Sequence, residues 1–523
     1  MSEIIIGQSY YLTFDPKSWA AMQPYAPLGS LYAASYLRSK GYDVGMFDAM
    51  LASSEAEWGI EIEKQGVRIA VLYEDNFNYL SKMCLLRMRQ AAFEMIKLAK
   101  DRACTVIVAG SDATDRAAQY LNEGADYVLI GEGEETLAEL VGSLIDGRGI
   151  SRDSILGLAY HRNGQIMSNP RRPDIRNLDE LPFPAWDLVD VEHYRDIWME
   201  RHGFFSMNMA TTRGCPFHCN WCAKPIWGQR YNVRSPEDVL NEMKWLADVY
   251  QPDHIWFTDD IFGLKPGWLP RFAELLELEK IAIPFKCLER ADLLLRSGEI
   301  DALKSAGCQI VWLGAESGSQ RILDAMEKGT RVDQIHEAAE RLHAANIQVG
   351  LFLQFGYPGE SWGDIQQTFR MIRRCEPDDI GISVSYPLPG TPFHERVKSQ
   401  LGLRQNWVDS QDLAMLYPGP YSTRFYRQLH RVVHKEFRMQ KYHRGKKRRK
   451  WGSHTGQPPS MFIRVRRRLR PLIDRATLQV DRIVLKLLAF LPHKRIRPLA
   501  PLLTRWDAAT PTPQERHEGS ITR

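Results

Sequence analysis

Along residues 1–145, short apolar runs alternate with longer stretches of helical spacing. Ile4-Ile5-Ile6, Tyr42 to Phe47, Val67 to Leu72, Thr105 to Gly110 and Tyr127 to Ile130 are too short and too continuously apolar for surface helices, and a helical segment follows each, the first near 28–39. The alternation predicts an α/β fold, a doubly wound parallel sheet with helices on both faces and any ligand at the carboxyl ends of the strands. A second alternating series fills 206–395, with strands expected near 206–211, 253–258, 283–288, 309–314, 347–355 and 379–386. Six β/α units predict a partial (β/α)6 barrel, whose chemistry belongs at the strand ends.

Between the two series, 146–205 reads as a linker strap, because Pro182 and Pro184 hold the residues before them extended. Past 395 the pattern predicts a helical extension over 396–440, with a helix at 422–441, and then a basic tail over 441–523. Arg444 to Lys450 is nearly all basic, and Gly452 to Ser460 has the composition of a linker. Over 473–488, Ile473, Ala476, Val480, Ile483, Val484, Leu487 and Leu488 keep amphipathic spacing. Asp474, Arg475, Asp481, Arg482 and Lys486 interrupt it too often for a membrane span.

Composition narrows the class. A chain of 523 residues, 44% hydrophobic and 25% charged, fits two to four globular units and excludes a disordered chain or a membrane bundle. No basic region precedes an apolar stretch at the N-terminus, so a cytoplasmic protein is expected. Of 68 basic and 64 acidic residues, 18 and two fall in 441–500, leaving 50 and 62 elsewhere; a net +16 segment follows an acidic body. A basic amphipathic helix fits peripheral contact with an anionic membrane. Nucleic acid fits it less well, because only Tyr442, Trp451, Phe462 and Phe490 could stack on bases.

Three of the eight cysteines crowd into one loop, Arg213-Gly214-Cys215-Pro216-Phe217-His218-Cys219-Asn220-Trp221-Cys222. Three thiolates spaced C-x3-C-x2-C suit an iron–sulfur cluster lacking one protein ligand. Zinc is the alternative, but the other cysteines (Cys84, Cys104, Cys287, Cys308, Cys375) show no paired spacing, and His218 would be strained as a fourth ligand. Three plain core cysteines sit poorly beside Gly214, Pro216 and Asn220. Polar or glycine-rich turns recur at the other strand ends: Thr258-Asp259-Asp260, Glu289-Arg290, Gly314 to Gly318, Gly356 to Glu360 and Pro387 to Pro392.

With Trp221 as the aromatic before the third cysteine, this loop resembles the signature of the radical S-adenosylmethionine (SAM) superfamily. The resemblance implies a 4Fe-4S cluster on Cys215, Cys219 and Cys222, with SAM chelating the open iron and cleaved to a 5′-deoxyadenosyl radical. It places Asp259 and Asp260 near the SAM amino group, Arg290 near its carboxylate, Glu316 and Ser317 near its ribose or methionine end, and Trp221 and Gln354 beside its adenine. An electron donor such as flavodoxin or ferredoxin is implied as partner.

The N-terminal domain is similar to the cobalamin-binding domain of one radical SAM subfamily. The likeness lies in Pro27-Leu28-Gly29-Ser30, Asp48, Gly110-Ser111 and Gly131-Glu132, and the Leu181-Pro182-Phe183-Pro184-Ala185 strap is similar to that subfamily's linker. The subfamily's Asp-x-His-x-x-Gly motif would place a cobalt-binding histidine after the second strand, but Asp48-Ala49-Met50-Leu51 has none, so cobalamin is expected without a protein imidazole. The implied reaction is hydrogen abstraction from an unactivated carbon of a small, hydrophobic substrate, leading to C-methylation. Cys219 to Tyr231 also resembles the anaerobic magnesium-protoporphyrin monomethyl ester oxidative cyclase branch, which implies ring formation on a tetrapyrrole or other hydrophobic metabolite instead. An iron–sulfur or zinc protein that binds nucleic acid is the non-enzymatic alternative. No catalytic side chain is assigned by sequence.

Overall fold

The computed structural model describes residues 3–83, 85–145, 151–224, 226–403, 405–443 and 461–491. The first sheet has the order β2-β1-β3-β4-β5-β6-β7. Its parallel part comprises β1 (Ile4–Gly7), β2 (Val44–Phe47), β3 (Ile69–Tyr73), β4 (Thr105–Ala109) and β5 (Tyr127–Leu129), each at an expected position. These strands are apolar at both parities because both faces are covered. Ile4 and Ile6 pack beneath Leu37 and Leu137, and Ile5 packs on the other side with Trp58 and Met95.

The strap needs correcting. Residues β6 (Leu158–Arg162) and β7 (Gln165–Ser168) form an antiparallel hairpin that extends the first sheet beyond β5, and a helix runs over Val191–His202. Every residue of β7 is exposed, so no apolar pattern marked it. The stretch through Pro182 and Pro184 is free of regular strand or α-helix, as expected.

The second sheet joins β8 (Ser206–Met209), β11 (His254–Phe257), β12 (Phe285–Glu289), β13 (Cys308–Glu316), β14 (Gln348–Phe355) and β15 (Asp379–Val384), all parallel. β8 and β15 lie at opposite edges, so the six strands make a partial barrel. A short ladder of β9 (Thr212–Arg213) with β10 (Asn232–Val233) brackets the cysteine loop.

Helix Thr423–His443 fulfils the expectation at 422–441, and helix Met461–Phe490 extends well before the expected 473–488. The two pack together through Lys435–Asp481 and Arg438–Asp474 ion pairs, so both acids of the tail helix face inward. The expected linker at 452–460 lies outside the described residues. Among those described, no helix is long and apolar enough to cross a membrane.

Candidate functional site

The cysteine loop leaves the barrel at the end of β8, and buried side chains fix both of its flanks. Thr211 and Thr212 donate backbone N–H to the Asp259 carboxylate at 2.8 and 2.7 Å, and their hydroxyls donate to it at 2.8 Å each. Burial pushes the Asp259 carboxyl up to about 6, against the pull of these bonds. Asp259 therefore sets the turn that enters the loop, whereas the sequence placed it near a ligand amine.

Arg213, the last residue of β9, inserts its guanidinium between Glu132 (2.5 Å) and Glu134 (2.8 Å) of the first domain, and Trp227 Nε1 donates to Glu132 at 3.1 Å. Glu132 thus clamps the domains together, an engagement that its place in a turn after β5 did not disclose.

Within the loop Cys215 is buried, and Cys219 and Cys222 are half-buried. Desolvation raises the Cys215 and Cys222 thiols, the latter to about 12. Asp260 and the other thiols push the same way, and the Lys224 ammonium pulls against them. Three mutually repelling sulfurs in a poorly solvated loop are stabilised as thiolates only by added positive charge, which iron supplies. Among the described residues, no three His, Cys, Asp or Glu side chains converge as a single metal ion requires.

Around the loop the barrel mouth gathers the other expected residues. Arg290 lies with its guanidinium carbon 3.7 Å from the centre of the Phe217 ring and bonds to Asp292 and Thr330 at 3.0 Å each. Glu316 ends β13 with φ 54°, a strained conformation for a non-glycine residue, and accepts from Lys328 at 3.1 Å. Lys328 also feels Cys219 and Arg290, so these four groups share one electrostatic neighbourhood. Ser317 is turned away, bonded to Thr368 and Ser319. Trp221 Nε1 and Gln354 Oε1 are buried without a hydrogen-bond partner, an arrangement suited to a ligand that supplies both an acceptor and a donor.

Two residues at the mouth were missed because they come from the first domain. Lys82 binds Asp260 at 2.8 Å, and Tyr79 lies within electrostatic reach of Cys222, Glu316 and Tyr386. No local motif announces such contacts.

In the first sheet, β1 and β3 are central neighbours in a 2-1-3-4-5 order, so their carboxyl ends define the crevice where ligands of such sheets sit. Glu74 accepts from Ser9 N–H at 3.1 Å, Ser111 donates to Asn76 at 3.2 Å, and Gly110 backs onto Glu74. Burial raises Glu74 to about 7 and Asp75 to about 6. The Ser9 side chain is buried against the Glu74 carboxylate. The polar run Glu74-Asp75-Asn76 after an apolar strand was the signal that could have located this crevice.

Pro27 and Leu28 instead begin a buried helix, where Gly29 N–H donates to Asp75 at 3.0 Å and Ser30 donates to the Tyr73 carbonyl at 2.6 Å. Asp48 accepts from the Tyr194 hydroxyl at 2.6 Å, and Gly131 N–H donates to Thr114 at 3.1 Å. These groups are bonded within the protein, so the fit to a polar ligand rests on the crevice at Glu74, Asn76 and Ser111.

Residues 209–372 match the Radical SAM superfamily. Over 388 residues the chain is 29% identical to an uncharacterized methyltransferase of Pyrococcus horikoshii, covering 73% of this chain and 80% of that one. It is 26% identical over 380 residues to the anaerobic magnesium-protoporphyrin IX monomethyl ester cyclase of Rubrivivax gelatinosus, covering 72% of this chain and 65%, under two thirds, of the cyclase. The fold is shared with the radical SAM methyltransferase TsrM of Kitasatospora setae, solved with cobalamin and a [4Fe-4S] cluster. That likeness has a TM-score of 0.62 and 18% identity, over 76% of this chain and 75% of that one.

Proposed function

We propose that the chain, whose residues 209–372 match the Radical SAM superfamily, is a cobalamin-dependent radical SAM enzyme that methylates an unactivated carbon of a small hydrophobic molecule. The observation that carries this reading is the pairing of a thiol loop with the unpartnered Trp221 Nε1 and Gln354 Oε1 at one barrel mouth, in a chain whose first sheet ends in a polar crevice. When bound, the cluster and SAM supply a carbon-centred radical, and cobalamin supplies the methyl group.

The residues of the chain bind and orient. Cys215, Cys219 and Cys222 hold the cluster. Arg290 and Glu316, kept in place by Asp292 and Lys328, anchor the charged and hydroxylated ends of SAM, and Gln354 and Trp221 meet its adenine. Asp260, tied to Lys82, holds the first domain to the mouth. Gly110, Ser111 and the Ser9 and Glu74 groups would hold the corrinoid.

Anaerobically reconstituted protein should show a 4Fe-4S signal, release 5′-deoxyadenosine from SAM and retain a corrinoid absorbance; stoichiometric zinc without iron would end the proposal. A product 14 mass units heavier supports methylation, whereas a product with a new ring supports the cyclase alternative, which the Rubrivivax relative favours.

The proposal includes peripheral contact with anionic membrane through helix Met461–Phe490. Ile473, Val480, Ile483, Leu487 and Phe490 are exposed along it, and its two acids are turned inward. Replacing both Ile483 and Leu487 by Glu should abolish sedimentation with phosphatidylglycerol vesicles; unchanged sedimentation would remove this part.

A further inference from the structure

The barrel strands alternate in an unusual way. Ile255, Phe257, Phe285, Cys287, Val311, Leu313, Val349 and Leu351 are buried against the helices, as one face of the sheet must be. The opposite face carries Asn208, Trp256, Lys286, Trp312 and Phe352, which the strand register sets side by side: Asn208 opposite Trp256, Trp256 opposite Lys286, and Trp312 and Phe352 beside the glycines of the next strand.

Those glycines shape the surface. A Cβ on Gly350 would collide with the Trp312 ring, and one on Gly381 would lie 2.9 Å from the Phe352 ring, so only glycine lets both aromatic rings lie down on the neighbouring strand. Trp312 and Phe352 then stack at 4.6 Å with 27° between their planes, forming an apolar floor on which Phe352 remains 37% exposed.

At the other end of the floor, the Lys286 ammonium lies 4.5 Å from the Trp256 ring and 5.2 Å from the Tyr25 ring. Among the described residues it makes no hydrogen bond or ion pair. Asp379 is the carboxylate whose charge it feels, and burial lowers its pKa to about 7. A cation in such a place is costly unless an anion arrives. Two strands away Asn208, 2% exposed, bonds Ala26 through its amide nitrogen, and its buried Oδ1 is left to accept from a donor group on a ligand. The N-terminal segment roofs this end, with Tyr25 packed 4.7 Å from Trp256 and bonded to Ser206 at 2.9 Å.

We propose that this inner face is the substrate subsite and that it takes a flat, conjugated, largely apolar molecule bearing a carboxylate: the ring system lies on Trp312 and Phe352, and the carboxylate pairs with Lys286. The inference rests on the radical SAM reading, which makes the barrel interior the place of reaction, and it adds the substrate's shape and charge.

The test uses the full-length protein and the fluorescence anisotropy of three probes. Pyrenebutyrate should bind, and Lys286→Met should weaken it at least tenfold while leaving pyrenebutanol unchanged. Trp312→Ala should weaken both pyrene probes. Hexadecanoate, charged but not flat, should displace pyrenebutyrate poorly. Circular dichroism checks that each variant is folded, and Lys286→Arg, which keeps the charge, should restore most of the pyrenebutyrate binding if Lys286→Met proves unstable. Absence of wild-type binding, binding indifferent to both Lys286→Met and Trp312→Ala, or displacement by hexadecanoate as effective as by pyrenebutyrate itself would overturn the proposal. Release of 5′-deoxyadenosine by reconstituted wild type is read separately. Its absence would refute the radical reading while leaving the probe result to stand as evidence for a binding cleft.

Discussion

The two parallel sheets of this chain obey the same rules of strand, helix and right-handed crossover, yet one is sealed and the other is open. In the first, Ile69-Ala70-Val71-Leu72 is buried at every position, because helices cover both faces. In the second, Phe285-Lys286-Cys287-Leu288-Glu289 is fully buried only at every other position. The sealed sheet can offer chemistry only at its strand ends, whereas the open one also offers it along a face. That division fits a molecule in which one domain holds a cofactor at its rim and the other holds a substrate inside.

The largest effect expected is at the loop where the two sheets meet. Cys215→Ala, Cys219→Ala or Cys222→Ala should lower 5′-deoxyadenosine release at least hundredfold, to the level of cluster-free protein, while thermal unfolding moves little. Retention of more than a tenth of the activity in any one variant would show that the cluster is held otherwise.

Next comes the clamp. Arg213→Met leaves Glu132 and Glu134, both buried, facing each other without their cation. Breaking a buried pair by removing one partner costs about 3–5 kcal/mol. A large drop in unfolding midpoint is expected. Glu134→Gln, which keeps one carboxylate on the guanidinium, should cost less. Equal stability of Arg213→Met and wild type would mean that the domains are joined elsewhere.

The contrast between the sheets can be measured directly. Leu72→Ala in the sealed sheet should cost about 2–5 kcal/mol of unfolding free energy in urea, the range for emptying a packed core site. Phe352→Ala, on the open floor, removes a larger side chain but should cost under about 1 kcal/mol. Similar costs at the two sites would show that the second sheet's inner face is packed in solution.

Much of this was legible in the sequence for a physical reason: it depends on neighbours along the chain. Alternating strand and helix patterns revealed eleven of the strands near their observed bounds, and three thiols within eight residues revealed the loop. Contacts between distant residues were not legible. Glu132 in a turn and Arg213 before a cysteine carry no mark of each other, and neither do Lys82 and Asp260. The hairpin at 158–168 was hidden because only three residues of β6 are buried. The open face, by contrast, could have been read from the strict parity of β12, where a lysine occupies a strand interior.

The subtlest expected effect, a change of pH slope and not of activity, tests the rim of the sealed sheet. Glu74 is buried at the crevice with its carboxyl raised from 4.5 to about 7, chiefly by desolvation. A carboxyl whose folded pKa exceeds its unfolded value binds its proton more tightly when folded, so its contribution favours the folded state below about pH 4.5. That contribution is lost as the pH rises to about 7 and is constant above. The shift corresponds to about 3 kcal/mol. Asp75 next to it titrates with the same sign, from 3.8 to about 6, so the wild-type slope is steeper than one group gives. Glu74→Gln keeps an oxygen to accept the Ser9 N–H and cannot ionise, so urea midpoints from pH 5 to 7 should fall less steeply in the variant. A ligand that donates hydrogen bonds to the Glu74 carboxylate would lower its pKa and flatten the wild-type curve in the same way, so loading with cobalamin should make wild type resemble Glu74→Gln. Identical slopes for the variant and the unloaded wild type would place the titration outside the crevice.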